Sequence, residues 1–455
     1  MSTPPLPAHS VALARELTAW DGFGVVAGSV IGSGIFLVPG AIALNLGSLR
    51  GVLLVWVAGG ALSVFGALSL AEMGSMFPQA GGLYTYLREA YGNVIAFLYG
   101  WGLLTMIQTG TIATLATGFA LYLSQVLTLS QAEQKLFSAG SVLFFTAANL
   151  MSVRRAKHIQ NVGMAAKLVG LIGLAVMLLT RGRFTTLSTG WHAPLRASWM
   201  AYGVSLIAVL WAYEGWHVVS FTASEFRSPQ RDLPRSLILG TLVVCAIYLA
   251  LNVGYYAVLG RAQMAGVGSA AAVAAQAAYG ANAVRLISVL VVTSILVAIN
   301  GMTLTGPRVY YAMARDRVFF HSLGRVGARS KVPTFALIVQ GAWAAVLTLT
   351  GTFQQLYTYV IFTAWIFYGL AVAGVIVLRV RYPHQARSFC TPGYPVLPAL
   401  FVLAAAAIVI STVASVPLHA AIGVAVILLG LPLYLIFRHR QAAKPHIPIP
   451  MKAAK

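Results

Sequence analysis

The chain has 455 residues, of which 59% are hydrophobic and only 9% charged. A soluble globular protein carries roughly a quarter charged residues, and so few polar groups could not cover a water-facing surface, so the composition implies a bilayer protein. The formal charge of +21, from 30 Lys+Arg against 9 Asp+Glu, sits in short runs between apolar segments, such as Arg227, Arg231 and Arg235. Positive runs of this kind fit loops facing anionic lipid and argue against a nucleic-acid partner, whose basic residues would cluster on a polar domain.

In chain order, the first nineteen residues, with Pro4, Pro5 and Pro7, lack a continuous apolar run, so no cleaved signal peptide is expected. Apolar spans of about twenty residues then follow one another. They cover 18–44, 50–74, 89–126, 133–151, 158–180, 198–225, 235–259, 283–313, 334–350, 353–379, 395–413 and 416–436. This predicts an all-α membrane protein of about twelve transmembrane helices. No linker or low-complexity stretch divides them, so 1–455 reads as one domain. With both termini inside, 22 of the 30 cations fall on the inner side and 7 on the outer, with Lys167 left at depth. That ratio favours cytoplasmic termini. The outer loop with Arg181, Arg183 and Arg196 is a local exception. Cys245 in an apolar run and Cys390 in a loop read as free thiols.

Two of these spans are interrupted. The first carries Gly28-Ser29-Val30-Ile31-Gly32-Ser33-Gly34, and the sixth Trp211-Ala212-Tyr213-Glu214-Gly215-Trp216-His217. An offset of five spans gives the two breaks opposite membrane orientation, the arrangement of a transporter site near the midplane. An unwound stretch survives in lipid only beside a cavity or a ligand. An amino acid presents a carboxylate and an ammonium. The half-helix after Gly32-Ser33-Gly34 offers N–H donors and a positive dipole to the carboxylate, and Ser33 adds a hydroxyl. Trp211, Ala212 and Tyr213 precede the second break and could offer carbonyls to the ammonium. The alternative for the Gly-Ser-Gly stretch is close helix packing through small residues.

Glu214 lies deep in its span, about 24 Å along an unbroken helix, and intramembrane acids are rare and usually functional. It reads as an ammonium contact or a proton carrier; the alternative is a protonated acid bonded to a neighbour or reached by water. His217 reads first as a packing residue, with a proton role second. Lys167 sits about 14 Å into span five. Its ammonium needs acceptors, such as the carbonyls freed at the first break, where a fixed positive charge would replace a bound sodium ion; snorkelling is the alternative. Trp211 could act as an aromatic lid or simply pack. Glu72, Arg88, Glu225, Arg231 and Asp232, at inner helix ends, could form gate ion pairs or remain solvated charges. Metal-ligand spacing, a phosphate-binding glycine loop and a nucleophile set are absent, so neither a metal, a cofactor nor an enzyme activity is expected.

Several blocks give the chain a wider likeness: GSVIGSGIF at 28–36, AEMGSMFPQAGGLYTYLREAYG at 71–92, AAKL at 165–168, WAYEGW at 211–216, PQRDLPRS at 229–236 and GPRVYYAMARDR at 306–317. In these it resembles the amino acid–polyamine–organocation superfamily, and most of all the L-type amino acid transporter branch and its bacterial homologues. The resemblance implies a LeuT-like 5+5 inverted repeat with broken helices 1 and 6. One repeat would cover 18–180 and the other 198–379, with 395–436 outside both. It implies that Val30, Ile31, Ser33 and Gly34 line the carboxylate site, with Gly32 and Gly215 at the breaks. Carbonyls of Trp211, Ala212 and Glu214 would hold the amine, and Trp211 would cap the substrate. Lys167 matches the family lysine that stands in for the second sodium, implying sodium-independent transport, commonly exchange. Glu214 departs from the glycine usual in animal members, although bacterial members carry an acid there, and His217 stands where some members have Asn. The cysteine that ties animal members to a glycoprotein partner is missing from the outer loop between spans three and four, so no required accessory subunit is expected.

The expected function is alternating-access transport of neutral L-amino acids at the cell membrane. Two alternatives stay open: a proton-coupled or cationic amino acid symporter of the same superfamily, and a membrane sensor that binds an amino acid without moving it.

Overall fold

The computed structural model describes residues 13, 15–124, 127–151, 153–327 and 330–442. The amino-terminal segment with Pro4, Pro5 and Pro7, the side chains of Arg154, Arg155, Lys157 and Arg440, and the cations Arg329, Lys444, Lys452 and Lys455 lie outside that description. Among the described residues the chain is nearly all helix, and β-pairing is limited to the isolated bridges Leu17–Phe226 and Val326–Pro333. Bilayer hydrocarbon offers no hydrogen bonds, so apolar segments satisfy their backbones internally as helices.

The elements follow the sequence signals. Thr18 opens α1 (Ala19–Val30) through a capping box: its hydroxyl accepts from the Asp21 N–H at 3.3 Å while the Asp21 carboxylate accepts from the Thr18 N–H at 2.9 Å. After the break come α2 (Gly34–Leu37) and α3 (Pro39–Leu46), the latter with proline at its first position and Gly47 at φ 64° as its cap. Next are α4 (Leu49–Met76), α5 (Leu83–Tyr91) and α6 (Asn93–Gly102), which runs through a π-turn at Leu103–Ile107 into α7 (Gln108–Leu123). They lead to α8 (Gln131–Met151), α9 (Val153–Arg181), α10 (Phe184–His192) and α11 (Trp199–Ala212). A 3₁₀ stretch at Val218–Glu225 then leads to α12 (Pro229–Met264), α13 (Ala270–Tyr279), α14 (Ala281–Thr305) and α15 (Pro307–Arg315). The chain finishes with α16 (Thr334–Thr350), α17 (Phe353–Arg381), α18 (Val396–Ser415), α19 (Pro417–Leu428) and α20 (Gly430–Ala442).

Nine of the described helical stretches are long and apolar enough to cross a bilayer. The other three of the expected twelve spans fall short for local reasons. The sixth is broken, so α11 has only 14 residues. The ninth, α16, has 17 residues, and the fourth, α8, starts with the polar stretch Gln131-Ala132-Glu133-Gln134-Lys135.

Burial separates inner from outer helices. The spans Ala19–Leu37 and Asn93–Leu123 are each 83% buried, whereas Val396–Ser415 and Pro417–His439 are 28% buried. The last two therefore turn apolar faces outward, with Leu403, Ile410, Leu418 and Leu429 exposed. Side chains of that kind facing out from a helix bundle suit lipid rather than water. The broken first helix sits at the centre, packed against α9, α12 and α14.

Candidate functional site

The two helix breaks meet in the middle of the molecule. α1 ends at Val30; Ile31 leaves the helical region with ψ 83°, and the Gly32 N–H turns back to the Val30 carbonyl at 2.8 Å. Helical structure resumes at Gly34, and among the described residues no backbone bond takes the N–H of Ser33, Gly34 or Ile35. The Gly32 N–H is therefore spent inside the turn. In the sixth span α11 ends at Ala212, the Glu214 N–H closes onto the Trp211 carbonyl at 3.1 Å, and Gly215 adopts φ 111°. A side chain at that φ would be strained.

Glycine also lets the two breaks touch. A Cβ on Gly34 would stand 2.4 Å from the Ala212 Cα, and one on Gly32 would stand 2.6 Å from Leu115 Cδ2. Packing and opening of the backbone thus occur at the same residues. The Tyr248 hydroxyl, from α12, lies 3.0 Å from the Val30 carbonyl and 3.1 Å from the Ala212 carbonyl, sharing one proton between the two broken ends.

Lys167, on α9, is fully buried. Its Nζ donates to Gly28 O at 2.8 Å, Ile31 O at 2.6 Å and Ser294 O at 2.9 Å. An ammonium has three protons, so each has an acceptor and the side chain does not snorkel. Ser294 Oγ adds a second donor to the Ile31 carbonyl at 3.1 Å.

Between the breaks lies a small, nearly closed cavity. Helix 1 lines it with Ser29, Val30, Gly32, Ser33 and Gly34, and the second break adds Trp211 and Glu214. α7 and α14 close it with Thr111, Leu115 and Met302. Ser29 Oγ, Ser33 Oγ and Trp211 Nε1 are buried there without a hydrogen-bond partner among the described residues. Buried polar atoms are normally paired, so this unpaired set suits a polar guest. Trp211 stacks on Tyr357 at 5.9 Å and meets Phe353 edge-on at 6.1 Å, which forms an aromatic cover from α17.

Not every expected residue lines this space. Ile31 serves it through the carbonyl given to Lys167, and the Ala212 carbonyl is engaged by Tyr248. Tyr213 turns away, packing on Trp56 and Tyr248 with its hydroxyl 3.4 Å from the Trp56 carbonyl. Gly215 contributes conformation, since a Cβ there would meet Met302 Cε at 2.7 Å. Glu214 and His217 share a partner: Tyr368 Oη lies 2.7 Å from Glu214 Oε1 and 3.1 Å from His217 Nε2.

At one end of the bundle, charges close the helices on one another. Arg308 donates to both carboxylate oxygens of Glu225, at 2.8 and 3.1 Å, with both side chains buried. Arg379 does the same to Glu72, at 2.8 and 2.7 Å, and Arg387 approaches Glu72 at 3.3 Å. Arg88 pairs with Asp316 and Glu89. Of the expected gate charges, Arg231 and Asp232 take part in no ion pair among the described residues.

The sequence model of the amino acid permease family matches residues 17–437, nearly the whole chain that carries this geometry. The chain belongs to the amino acid permease family. The human b(0,+)-type amino acid transporter 1 is 31% identical over 442 residues, covering 94% of this chain and 89% of the relative. The Serine/threonine exchanger SteT of Bacillus subtilis (strain 168) is 30% identical over 437 residues, covering 95% and 98%. The rat Large neutral amino acids transporter small subunit 2 is 28% identical over 440 residues, covering 94% and 81%. This permease is a multi-pass membrane protein that transports amino acids and is not an enzyme.

Several residues at the permease's centre escape a reading of spans: Ser29, Thr111, Leu115, Met302, Ser294, Tyr248 and Tyr368. The tyrosines carried a signal, since a mid-span hydroxyl needs a partner. The serines, Thr111 and the apolar pair carried none, because such residues recur throughout the spans.

Proposed function

We propose that this permease exchanges neutral L-amino acids across the cell membrane by alternating access, independently of sodium and without an accessory subunit. The observation that carries the reading is the Lys167 ammonium on the carbonyls of Gly28, Ile31 and Ser294. Those oxygens would otherwise be open to a monovalent cation; with a fixed charge on them, sodium has neither ligands nor electrostatic room.

The substrate carboxylate meets the Ser33 and Gly34 N–H groups and the Ser33 hydroxyl, at the positive end of the resumed helix. Its ammonium turns toward Glu214 and the Trp211 side of the sixth-span break, and Trp211 covers it. The name of the Bacillus relative, a serine/threonine exchanger, supports small side chains and supports exchange. Residues 18–180 and 198–379 act as two inverted repeats, with 395–436 outside them, and one bundle rocks against the rest around the fixed site. Both termini face the cytoplasm, as the 22-to-7 division of cations favours.

The test is counterflow by the purified chain alone in liposomes. Labelled L-serine is placed inside and each common amino acid outside, with and without sodium. Efflux driven by small neutral amino acids, equal in both salts, is the expected result. Flux that needs sodium would remove the role given to Lys167. Saturable binding with no counterflow would favour a sensor.

A further inference from the structure

Glu214 lines the cavity, and among the described residues no Lys or Arg balances its carboxyl. Tyr368, from α17, holds Oε1 at 2.7 Å. His217 Nδ1 stands 3.8 Å from the same oxygen. Tyr99, on α6, lies within electrostatic reach of it, while α7 and α14 bring the uncharged Thr111 and Met302 to the cavity. Lys167 is committed to the carbonyls of Gly28, Ile31 and Ser294, and among the described residues no Lys or Arg pairs with Glu214. A bare carboxylate in such surroundings is expensive, and a proton relieves it.

The local hydrogen bonds accept either proton count. Tyr368 has one proton and two neighbours, Glu214 Oε1 and His217 Nε2. With Glu214 ionised, Tyr368 donates to it and His217 donates from Nε2. With Glu214 protonated, the acid donates to Tyr368, which donates to His217 Nε2. Among the described residues His217 Nδ1 has no hydrogen-bond partner. Among the described residues no hydrogen bond reaches the second carboxyl oxygen, Oε2, and Glu214 lines the cavity.

We propose that Glu214 exchanges a proton for the substrate's ammonium group: the carboxyl holds a proton while the cavity is empty and releases it when the ammonium docks against Oε2. The O–H bond breaks, the carboxylate keeps the electron pair, and the proton passes to water on whichever side the cavity faces. The protonated empty carrier has no uncompensated carboxylate and can reorient, so amino acid and proton move in opposite directions. This rests on the reading that the cavity binds a zwitterion, and it adds proton antiport to exchange.

Titration calorimetry of the purified full chain with L-serine, in two buffers of different ionisation enthalpy, tests it. Between about pH 5 and pH 8, the wild type is expected to release up to about one proton per L-serine bound, and its affinity to fall toward tenfold per pH unit as pH drops. Glu214→Gln should release none and bind with pH-independent affinity. Tyr368→Phe removes a donor that steadies the carboxylate, so the fall in affinity should begin at higher pH. If Glu214→Gln fails to fold or bind, the wild type and Tyr368→Phe decide. Binding with no proton release and no pH dependence overturns the proton exchange and leaves the cavity reading intact. No binding of L-serine or any other neutral amino acid overturns the cavity reading, and the proton exchange with it.

Discussion

Three backbone carbonyls from two helices converge on a single side-chain ammonium at Lys167. Truncation would leave these buried acceptors without their donor, at about 1–3 kcal/mol for each one left unsatisfied. Lys167→Ala is therefore expected to cut counterflow at least about tenfold and to lower the thermal midpoint in detergent. Lys167→Arg should not rescue it, because a planar guanidinium cannot aim at three converging oxygens as an ammonium does. Ser294→Ala makes the graded comparison. Its carbonyl stays on Lys167 and only the 3.1 Å hydroxyl bond to Ile31 is lost, for about 0.5–1.5 kcal/mol. Counterflow near the wild-type rate in Lys167→Ala would refute the fixed-charge account. At Ser33, buried in the cavity wall, leucine would fill the space proposed for the carboxylate. Ser33→Leu should abolish saturable binding while the protein still inserts, as measured by scintillation binding and size-exclusion profile.

At the scale of the element, two helices that stop and restart must pass within contact distance. Gly34 permits it, since any Cβ there would lie 2.4 Å from the Ala212 backbone. Backbone cannot yield as a side-chain tip can, so Gly34→Ala should separate the two breaks, costing about 1–3 kcal/mol and most of the transport. Gly173 is the control: it is helical, exposed, and nothing lies within 4 Å of a Cβ built on it. Gly173→Ala should leave counterflow unchanged and stabilise by about 1 kcal/mol through helix propensity. Equal effects in both variants, read by thermal unfolding and counterflow, would show that the contact between the breaks does not matter.

Across the whole molecule, the ion pairs at one end lock helices that the proposed alternating access would separate. Arg308 and Glu225 are both buried, so truncating one member strands a charge, at about 3–5 kcal/mol. Arg308→Ala should therefore lower the thermal midpoint more than Arg308→Met combined with Glu225→Leu. A double mutant no more stable than the single would count against this. Both should raise the accessibility of cysteines introduced beneath the pair, because either change removes the lock.

Much of this was legible along the chain. Apolar runs marked the spans, a glycine cluster marked the first break and Glu214-Gly215 the second, because the low helical propensity of glycine and its tolerance of positive φ are local properties. Even so, the sequence left the roles of Gly32 and Tyr213 open. Its spacing could not say that the Gly32 N–H folds back on Val30 or that the Tyr213 ring leaves the cavity for Trp56.

Composition and periodicity by themselves determined the solvent this protein lives in, its helical class, the places where helices fail and the presence of buried charge. All of these are summed over neighbouring residues. Only the tertiary structure decided which groups meet: Lys167 with Ser294, Tyr248 across both breaks, Tyr368 between Glu214 and His217, and Glu72 with Arg379, 307 positions away. Those meetings depend on how each helix is rotated and crossed against the others, and a pattern with a period of 3.6 residues carries no information about the angle at which a distant helix arrives.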